Sequence, residues 1–121
     1  MEIESVRKYC LSLPHTTEQV QWGSDLVFKI GGKMFAVLPL EPAANWLSFK
    51  CSDDDVAALV EQPGVIPAPY LARATWVALQ TASALPPAEI KRLLRQAHDL
   101  VLARLAKGTQ LALLARGKKQ G

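Results

Sequence analysis

Residues 25–38 have the sequence DLVFKIGGKMFAVL, in which two runs of strand-forming residues flank a Gly-Gly pair. This pattern is typical of a tight β-hairpin, because glycine readily adopts the positive φ that both turn positions need. The sequence predicts that Phe28 lies opposite Phe35 and Leu26 opposite Val37, which gives the hairpin one apolar face. The predicted buried face carries Leu26, Phe28, Ile30, Phe35 and Val37.

The segment before the hairpin predicts a helix over residues 2–12 and a short strand over residues 16–21. Apolar residues recur at helical spacing in the first of these segments. Pro14 ends the helix, because proline disfavours helical backbone in the residue before it. The hairpin is therefore preceded by one helix and one strand.

The segment after the hairpin predicts a third strand over residues 46–50 and a short helix over residues 53–61. Ser52 is the predicted N-cap of that helix, and the three aspartates of its first turn match the helix dipole. Residues 62–73 hold three prolines and a glycine and predict a structured loop.

A fourth strand is predicted over residues 75–79, around Trp76. Proline is favoured at the first position of a helix, so Pro86-Pro87 is the predicted start of the last helix, which ends near Gly108. The order α-β-β-β(-β)-α-β-α fits a two-layer α+β domain with an antiparallel sheet packed against helices. We expect a single domain over residues 1–108 and a basic, flexible tail over residues 109–121, with a short helical turn at its start.

Composition narrows the class of protein further. The chain has 121 residues, and its two cysteines form no CxxC pair. No apolar run approaches the roughly 20 residues that span a bilayer. The acidic N-terminus does not resemble a signal peptide. We expect a cytoplasmic monomer with reduced thiols and no contact with a membrane.

The charges are distributed unevenly along the chain. Residues 1–61 hold five basic and nine acidic side chains, and residues 62–107 hold six basic and two acidic ones. The last residues add three cations and no anion. A basic C-terminal half can face an anionic partner, although its charge is modest for a nucleic-acid-binding module.

Several short motifs, in a fixed order along residues 1–105, resemble the MmcQ/YjbR family of small bacterial proteins. The chain departs from that pattern at Gln96-Ala97-His98. The motifs are Pro14, Trp22-Gly23, Gly32-Lys33-Met34-Phe35, Phe49-Lys50-Cys51, Pro67-Ala68-Pro69-Tyr70 and Arg73-Ala74-Thr75-Trp76-Val77. The resemblance implies a fold likened to frataxin-type and secretion-chaperone-type domains. It also implies a double-wing DNA-binding role with no catalytic residues to carry over.

The residues themselves predict neither an enzyme nor a metal or cofactor site. His15 and His98 have no second ligand at metal spacing, and we expect them to be surface or partly packed side chains. The three aspartates after Ser52 lack the glycine and terminal glutamate of a calcium loop. No nucleophile elbow, P-loop or dinucleotide fingerprint occurs in the sequence.

The first functional hypothesis is low-specificity binding of DNA phosphates, with the hairpin as a wing. Lys29 shares with Met34 the face of the hairpin opposite the core, where lysines can meet phosphates. Arg95 is four residues from Asp99, a spacing that favours an ion pair on the helix surface. The proposed cations are Lys29, Lys33, Lys50, Arg73, Lys91, Arg92, Arg116, Lys118 and Lys119.

Two further hypotheses use the aromatic residues. One is a protein-interaction or chaperone-like adaptor that uses the sheet face and Trp46. The other is a small-ligand pocket under the loop 63–73, lined by Tyr70, Trp22 and Trp76. Any of the three tryptophans that is exposed beside lysines can also stack on a base.

Overall fold

The computed structural model of the protein describes residues 1–69, 71 and 74–120, with the side chains of residues 116–120 outside that description. The helices are α1 (Ile3–Ser12), α2 (Asp53–Leu59), α3 (Pro87–Arg104) and α4 (Lys107–Gln120). The strands are β1 (Thr16–Gln21), β2 (Asp25–Ile30), β3 (Lys33–Pro39), β4 (Ser48–Lys50), β5 (Val65–Pro67) and β6 (Trp76–Leu79).

The six strands form one sheet in the order β1-β2-β3-β4-β6-β5, and each neighbouring pair is antiparallel. All four helices supply side chains to the core on one face of this sheet, among them Val6, Leu59, Leu93 and Leu113. The opposite, helix-free face is called the open face below. The predicted two-layer α+β class is confirmed.

The predicted register of the hairpin is wrong beyond the pairing of Lys29 with Met34. Phe28 pairs with Ala36 and Leu26 with Leu38, because a β-bulge places Phe35 as an extra residue in β3. Phe35 and Ala36 are therefore both fully buried on the helix side. Val37 turns to the open face instead of the main core, where the unbulged register had placed it.

Two other elements differ from the prediction. The loop predicted over residues 62–73 contains β5, a three-residue edge strand whose last residue is a proline, a position where proline costs no ladder hydrogen bond. The last predicted helix ends at Arg104 rather than at Gly108, because Leu105 adopts extended backbone. The chain then forms α4, and Leu113 carries the core past the predicted division at Gly108.

The start of α2 is set by the predicted local signal, although the helix ends at Leu59 rather than at residue 61. Ser52 caps α2 by accepting a hydrogen bond from the backbone nitrogen of Asp55 at 3.2 Å.

Arg7 of α1 donates from Nε to a carboxylate oxygen of Glu18 in β1 at 2.8 Å, which links the first helix to the edge of the sheet. This bond lowers the pKa of the Glu18 carboxyl below its usual value.

His98 of α3 is buried, where the sequence predicts a surface or partly packed side chain. Its Nε2 lies 2.8 Å from the carbonyl oxygen of Pro14, which only accepts, so Nε2 carries the proton of this hydrogen bond. Nδ1 lies 3.0 Å from a carboxylate oxygen of Asp99, and the ring meets Phe35 edge-on at 5.4 Å between centroids. His98 therefore joins α3 to the loop before β1.

We expect His98→Leu to lower the free energy of unfolding by about 1–2 kcal/mol. This change keeps an apolar side chain in the core but removes the hydrogen bond to Pro14 and the edge contact with Phe35. Arg95→Ala, on the same helix, is the control, because that side chain is 61% exposed. It should change stability by less than about 0.5 kcal/mol in the same urea titration. Equal stability of His98→Leu and the natural chain would contradict this role.

Candidate binding groove on the open sheet face

A second apolar cluster lies on the open face, separate from the main core. Trp76, Ala68 and Ala78 are buried there, and Met34, Val37, Ile66 and Leu71 pack against them. Ala68, Pro69 and Leu71, the described residues after β5, turn onto this face: the backbone nitrogen of Ala68 donates to the carbonyl oxygen of Trp76 at 3.0 Å, that of Leu71 donates to the carbonyl oxygen of Ala68 at 3.1 Å, and Leu71 packs on the cluster. This returning segment forms one wall above the open face.

The other wall is formed by Trp22 and Asp25, which come after β1 in the chain. The space between the two walls is a groove of about 380 Å³. Its floor comes from neighbouring strands, since Val37 of β3 pairs with Ser48 of β4. Most of the surface of the groove is apolar, so it suits an apolar group better than a phosphate. The groove is lined by Trp22, Asp25, Met34, Val37, Ser48, Pro69 and Leu71.

Trp22 stands at the rim of the groove in a strained backbone conformation. Its φ is +52°, a left-handed value that a bulky residue rarely adopts, and its side chain is 68% exposed. Such backbone costs about 1–3 kcal/mol, and an exposed ring gains little packing to offset that cost. A strained, exposed tryptophan beside an apolar groove is typical of a binding site.

Trp76 and Trp46 do not line this groove. Trp76 is 4% exposed, and it belongs to the buried cluster against which Leu71 of the returning segment packs. Trp46 packs against the main core, and its backbone nitrogen donates to Leu79 at 2.8 Å. The adaptor hypothesis uses the sheet face together with Trp46, and Trp46 lies beside the main core rather than in the cluster of the open face.

Lys50 is buried and has protein partners, so it is not the surface cation that the sequence predicts. Its Nζ donates to the carbonyl oxygen of Ala74 and, at 2.6 Å, to Oγ1 of Thr75. Burial lowers the pKa of the Lys50 ammonium, and the nearby Arg104 lowers it further. Thr75 has a φ of +60°, so this contact holds a strained residue at the start of β6.

The remaining proposed cations lie on two sides of the domain rather than one. Lys29 is on the open side of β2 and donates to Oε1 of Gln19 at 3.0 Å, while Lys33 is exposed beside the hairpin turn. Lys91 and Arg92 are exposed on α3, the helix that covers the opposite face of the sheet.

The cations of α3 also have partners of their own. The Lys91 ammonium lies 5.8 Å from the ring centroid of Tyr9, and Arg92 pairs with Glu89 at 2.7 Å. Arg95, four residues before Asp99, lies 3.7 Å from its carboxylate, the ion pair that the spacing predicts. The proposed basic surface is therefore divided between the two layers.

Several predicted site residues lie outside the described part of the chain. They include Tyr70 and Arg73, which fall in the gaps between residues 69, 71 and 74. The side chains of Arg116, Lys118 and Lys119 also lie outside it, although the backbone that carries them is helical to Gln120.

The groove includes residues that sequence reasoning did not single out. Asp25, Ser48, Pro69 and Leu71 were not proposed, because their places depend on the returning segment and on the pairing of distant strands. The alternation of residues 46–50 does place Ser48 on the face opposite Phe49. That pattern could have identified Ser48 as a residue of the open face.

Both thiols of the chain are buried in the main core. Cys10 and Cys51 are free and buried, and burial raises the pKa of their thiols to about 12 and about 11. Both are therefore protonated near neutral pH.

Residues 1–69, 71 and 74–120 contain no group of three His, Cys, Asp or Glu side chains that could hold a metal ion. No helix among them is long and apolar enough to cross a bilayer.

The fold and the groove define a small two-layer α+β domain with an open antiparallel sheet. The chain belongs to the YjbR family, whose model matches residues 11–100. No curated protein matches the sequence.

The solved structures that resemble this one include two proteins from different bacteria. The first is a Deinococcus radiodurans protein, DR2400, of the DUF419 family: it is 25% identical, with a TM-score of 0.82 over 92% of this chain and 86% of that chain. The second, from Pseudomonas syringae, is 20% identical, with a TM-score of 0.67 over 83% of this chain and 98% of that chain. These likenesses support the fold described above.

We expect Trp22→Asn to raise the free energy of unfolding by about 0.5–1 kcal/mol, because asparagine tolerates left-handed backbone better than tryptophan does. Trp22→Val is the matched control at the same position. A β-branched residue fits this backbone poorly, so its stability should fall below that of the natural chain. Urea titrations of the three proteins measure both effects. A loss of stability in Trp22→Asn would show that the ring contributes to packing rather than being strained.

Proposed function

We propose that this protein is a non-catalytic binding domain that takes an apolar part of its ligand into the groove on the open face of the sheet. The observation that carries this proposal is Trp22, held exposed in a strained conformation at the rim of an apolar groove. A protein seldom keeps such strain without a use for the side chain.

The dimensions and chemistry of the groove support the proposal. A volume of about 380 Å³ falls in the range of small-ligand pockets. Met34 and Val37 offer an apolar floor, and Met adapts to irregular shapes through its flexible thioether. The Trp22 ring adds a flat surface for offset or edge-on contact with an aromatic ligand.

Binding of a neutral aromatic probe tests this proposal directly. We expect 2-phenylethanol to shift the indole N–H resonance of Trp22 in spectra of the labelled full chain, in a saturable way. In the variants, binding is followed by the backbone amide resonances of Met34 and Val37, which line the same groove. Trp22→Asn should abolish their saturable shift, whereas Trp46→Phe should retain it. Raising the salt from about 50 mM to about 500 mM should leave the affinity nearly unchanged, because the contacts are apolar. Binding that persists in Trp22→Asn would contradict the proposal.

A second candidate function, low-specificity DNA binding, is favoured by the position of α4. A Cβ atom at Gly31 in the hairpin turn would lie 3.2 Å from Cγ2 of Thr109, so α4 begins beside the turn. The exposed Lys33 and Lys107 therefore occupy one end of the domain. The same helix continues into the segment that contains Arg116, Lys118 and Lys119. This end, rather than a whole face, is the proposed contact with phosphates.

A salt series of binding to a generic DNA duplex tests this second candidate in the full-length chain. We expect Lys33→Gln combined with Lys107→Gln to weaken binding and reduce the salt slope by about two, since each phosphate contact contributes about 0.9. Lys91→Gln with Arg95→Gln, in the half of α3 that is remote in sequence from α4, is the matched control and should leave both unchanged. An equal loss in both pairs would indicate attraction by net charge alone. Absence of binding at low salt would exclude this candidate.

A further inference from the structure

We infer that the groove selects a ligand whose apolar body carries a cationic group, held between the Asp25 carboxylate and the Trp22 ring. This inference rests on the proposed function, because it specifies the charge of the ligand that the same groove takes. It concerns the open face and not the basic end of the domain near Lys33.

Asp25 is the first residue of β2, and it lies in the groove. It pairs with Gln21 of β1 and Pro39 of β3, and its side chain is partly buried. Among the lining residues that the structure describes, Asp25 is the single charged group, since the others are apolar except for the hydroxyl of Ser48. A partly buried carboxylate with apolar neighbours favours the approach of an opposite charge.

The ion pairs formed by the described residues do not include Asp25. The next cation along β2 is Lys29, four residues away, which corresponds to about 13 Å along a strand. That distance exceeds the Debye length of about 8 Å at physiological salt. Lys29 is also held towards β1 by its hydrogen bond to Gln19 at 3.0 Å. The charge of Asp25 is thus not neutralised by this lysine.

Trp22 supplies a second and independent attraction for a cation. The face of an indole ring carries negative charge density, and an ammonium or guanidinium group above it is stabilised. Trp22 is three residues before Asp25, both side chains line the same groove, and the ring is 68% exposed. A carboxylate beside an open tryptophan face is a combination that recognises organic cations.

The same geometry disfavours an anionic ligand at this place. A phosphate or carboxylate entering the groove would meet the Asp25 charge and the negative face of the Trp22 ring. Phosphate binding is therefore expected elsewhere, and a ligand with an ammonium or guanidinium group on an apolar body fits the groove best. A small amine and a basic side chain of a peptide share this chemistry.

Three probes with a common phenyl group test the inference on the full-length labelled chain. They are 2-phenylethylamine, which is a cation at neutral pH, the neutral 2-phenylethanol and the anion phenylacetate. We expect the amine to bind about tenfold more tightly than the alcohol, from the cation–π contact and the ion pair together. Phenylacetate should bind most weakly. The dissociation constants come from the shift of the Trp22 indole resonance, assigned by its loss in Trp22→Asn.

Asp25→Asn removes the charge with little change in shape, and Asp54→Asn, in the first turn of α2, is the control. The preference for the amine over the alcohol should fall to about threefold or less in Asp25→Asn and stay unchanged in Asp54→Asn. Equal binding of amine and alcohol to the natural chain, or tighter binding of phenylacetate, would overturn the inference while leaving the proposed function in place. Failure of all three probes to bind would overturn both. An amine preference that is unchanged in Asp25→Asn would overturn the assignment to Asp25.

A peptide with one arginine beside a phenylalanine, compared with the same peptide carrying citrulline, distinguishes the source of the cation. Tighter binding of the arginine peptide than of 2-phenylethylamine supports a basic side chain as the ligand. Binding of the amine alone supports a small molecule. Both results agree with the chemistry inferred for Asp25 and Trp22. Saturable binding of both peptides with equal affinity contradicts it.

Discussion

The β-bulge at Phe35 is the constraint on which the two faces of the sheet depend. In a regular strand, side chains alternate, so Phe35 and Val37 would share one face and Ala36 would share the other. The bulge places Phe35 and Ala36 together on the helix side, opposite Phe28, and moves Val37 to the open face. One extra residue thus completes the main core and gives the groove part of its floor.

The layered arrangement also separates the charges of the protein. The helices cover one face of the sheet, so Lys91, Arg92 and Arg95 of α3 lie away from the groove and meet the ring of Tyr9, Glu89 and Asp99. Burial of Lys50 removes a further cation from the open face. Among the described residues, Asp25 therefore remains as the charge that lines the groove, next to Trp22. The modest net charge of the sequence gives no indication of this local balance.

Features that depend on neighbouring residues were predictable, and those that depend on distant partners were not. The Gly-Gly turn, the Ser52 cap and the apolar stripe of α3 are local, and the structure confirms them. Burial of His98 needs Pro14, 84 residues away, and burial of Lys50 needs Thr75, 25 residues away. Trp22 was proposed as a pocket residue. Its left-handed backbone, on which the functional argument depends, is indicated in the sequence only by the glycine that follows it.

The register of β2 against β3 is the most direct test, because the floor of the groove follows from it. Cross-strand nuclear Overhauser contacts in the labelled full-length protein measure this register residue by residue. The bulged sheet predicts contacts between Leu26 and Leu38 and between Val27 and Val37. Contacts between Leu26 and Val37 and between Phe28 and Phe35 as opposed residues would show a regular hairpin and contradict the account.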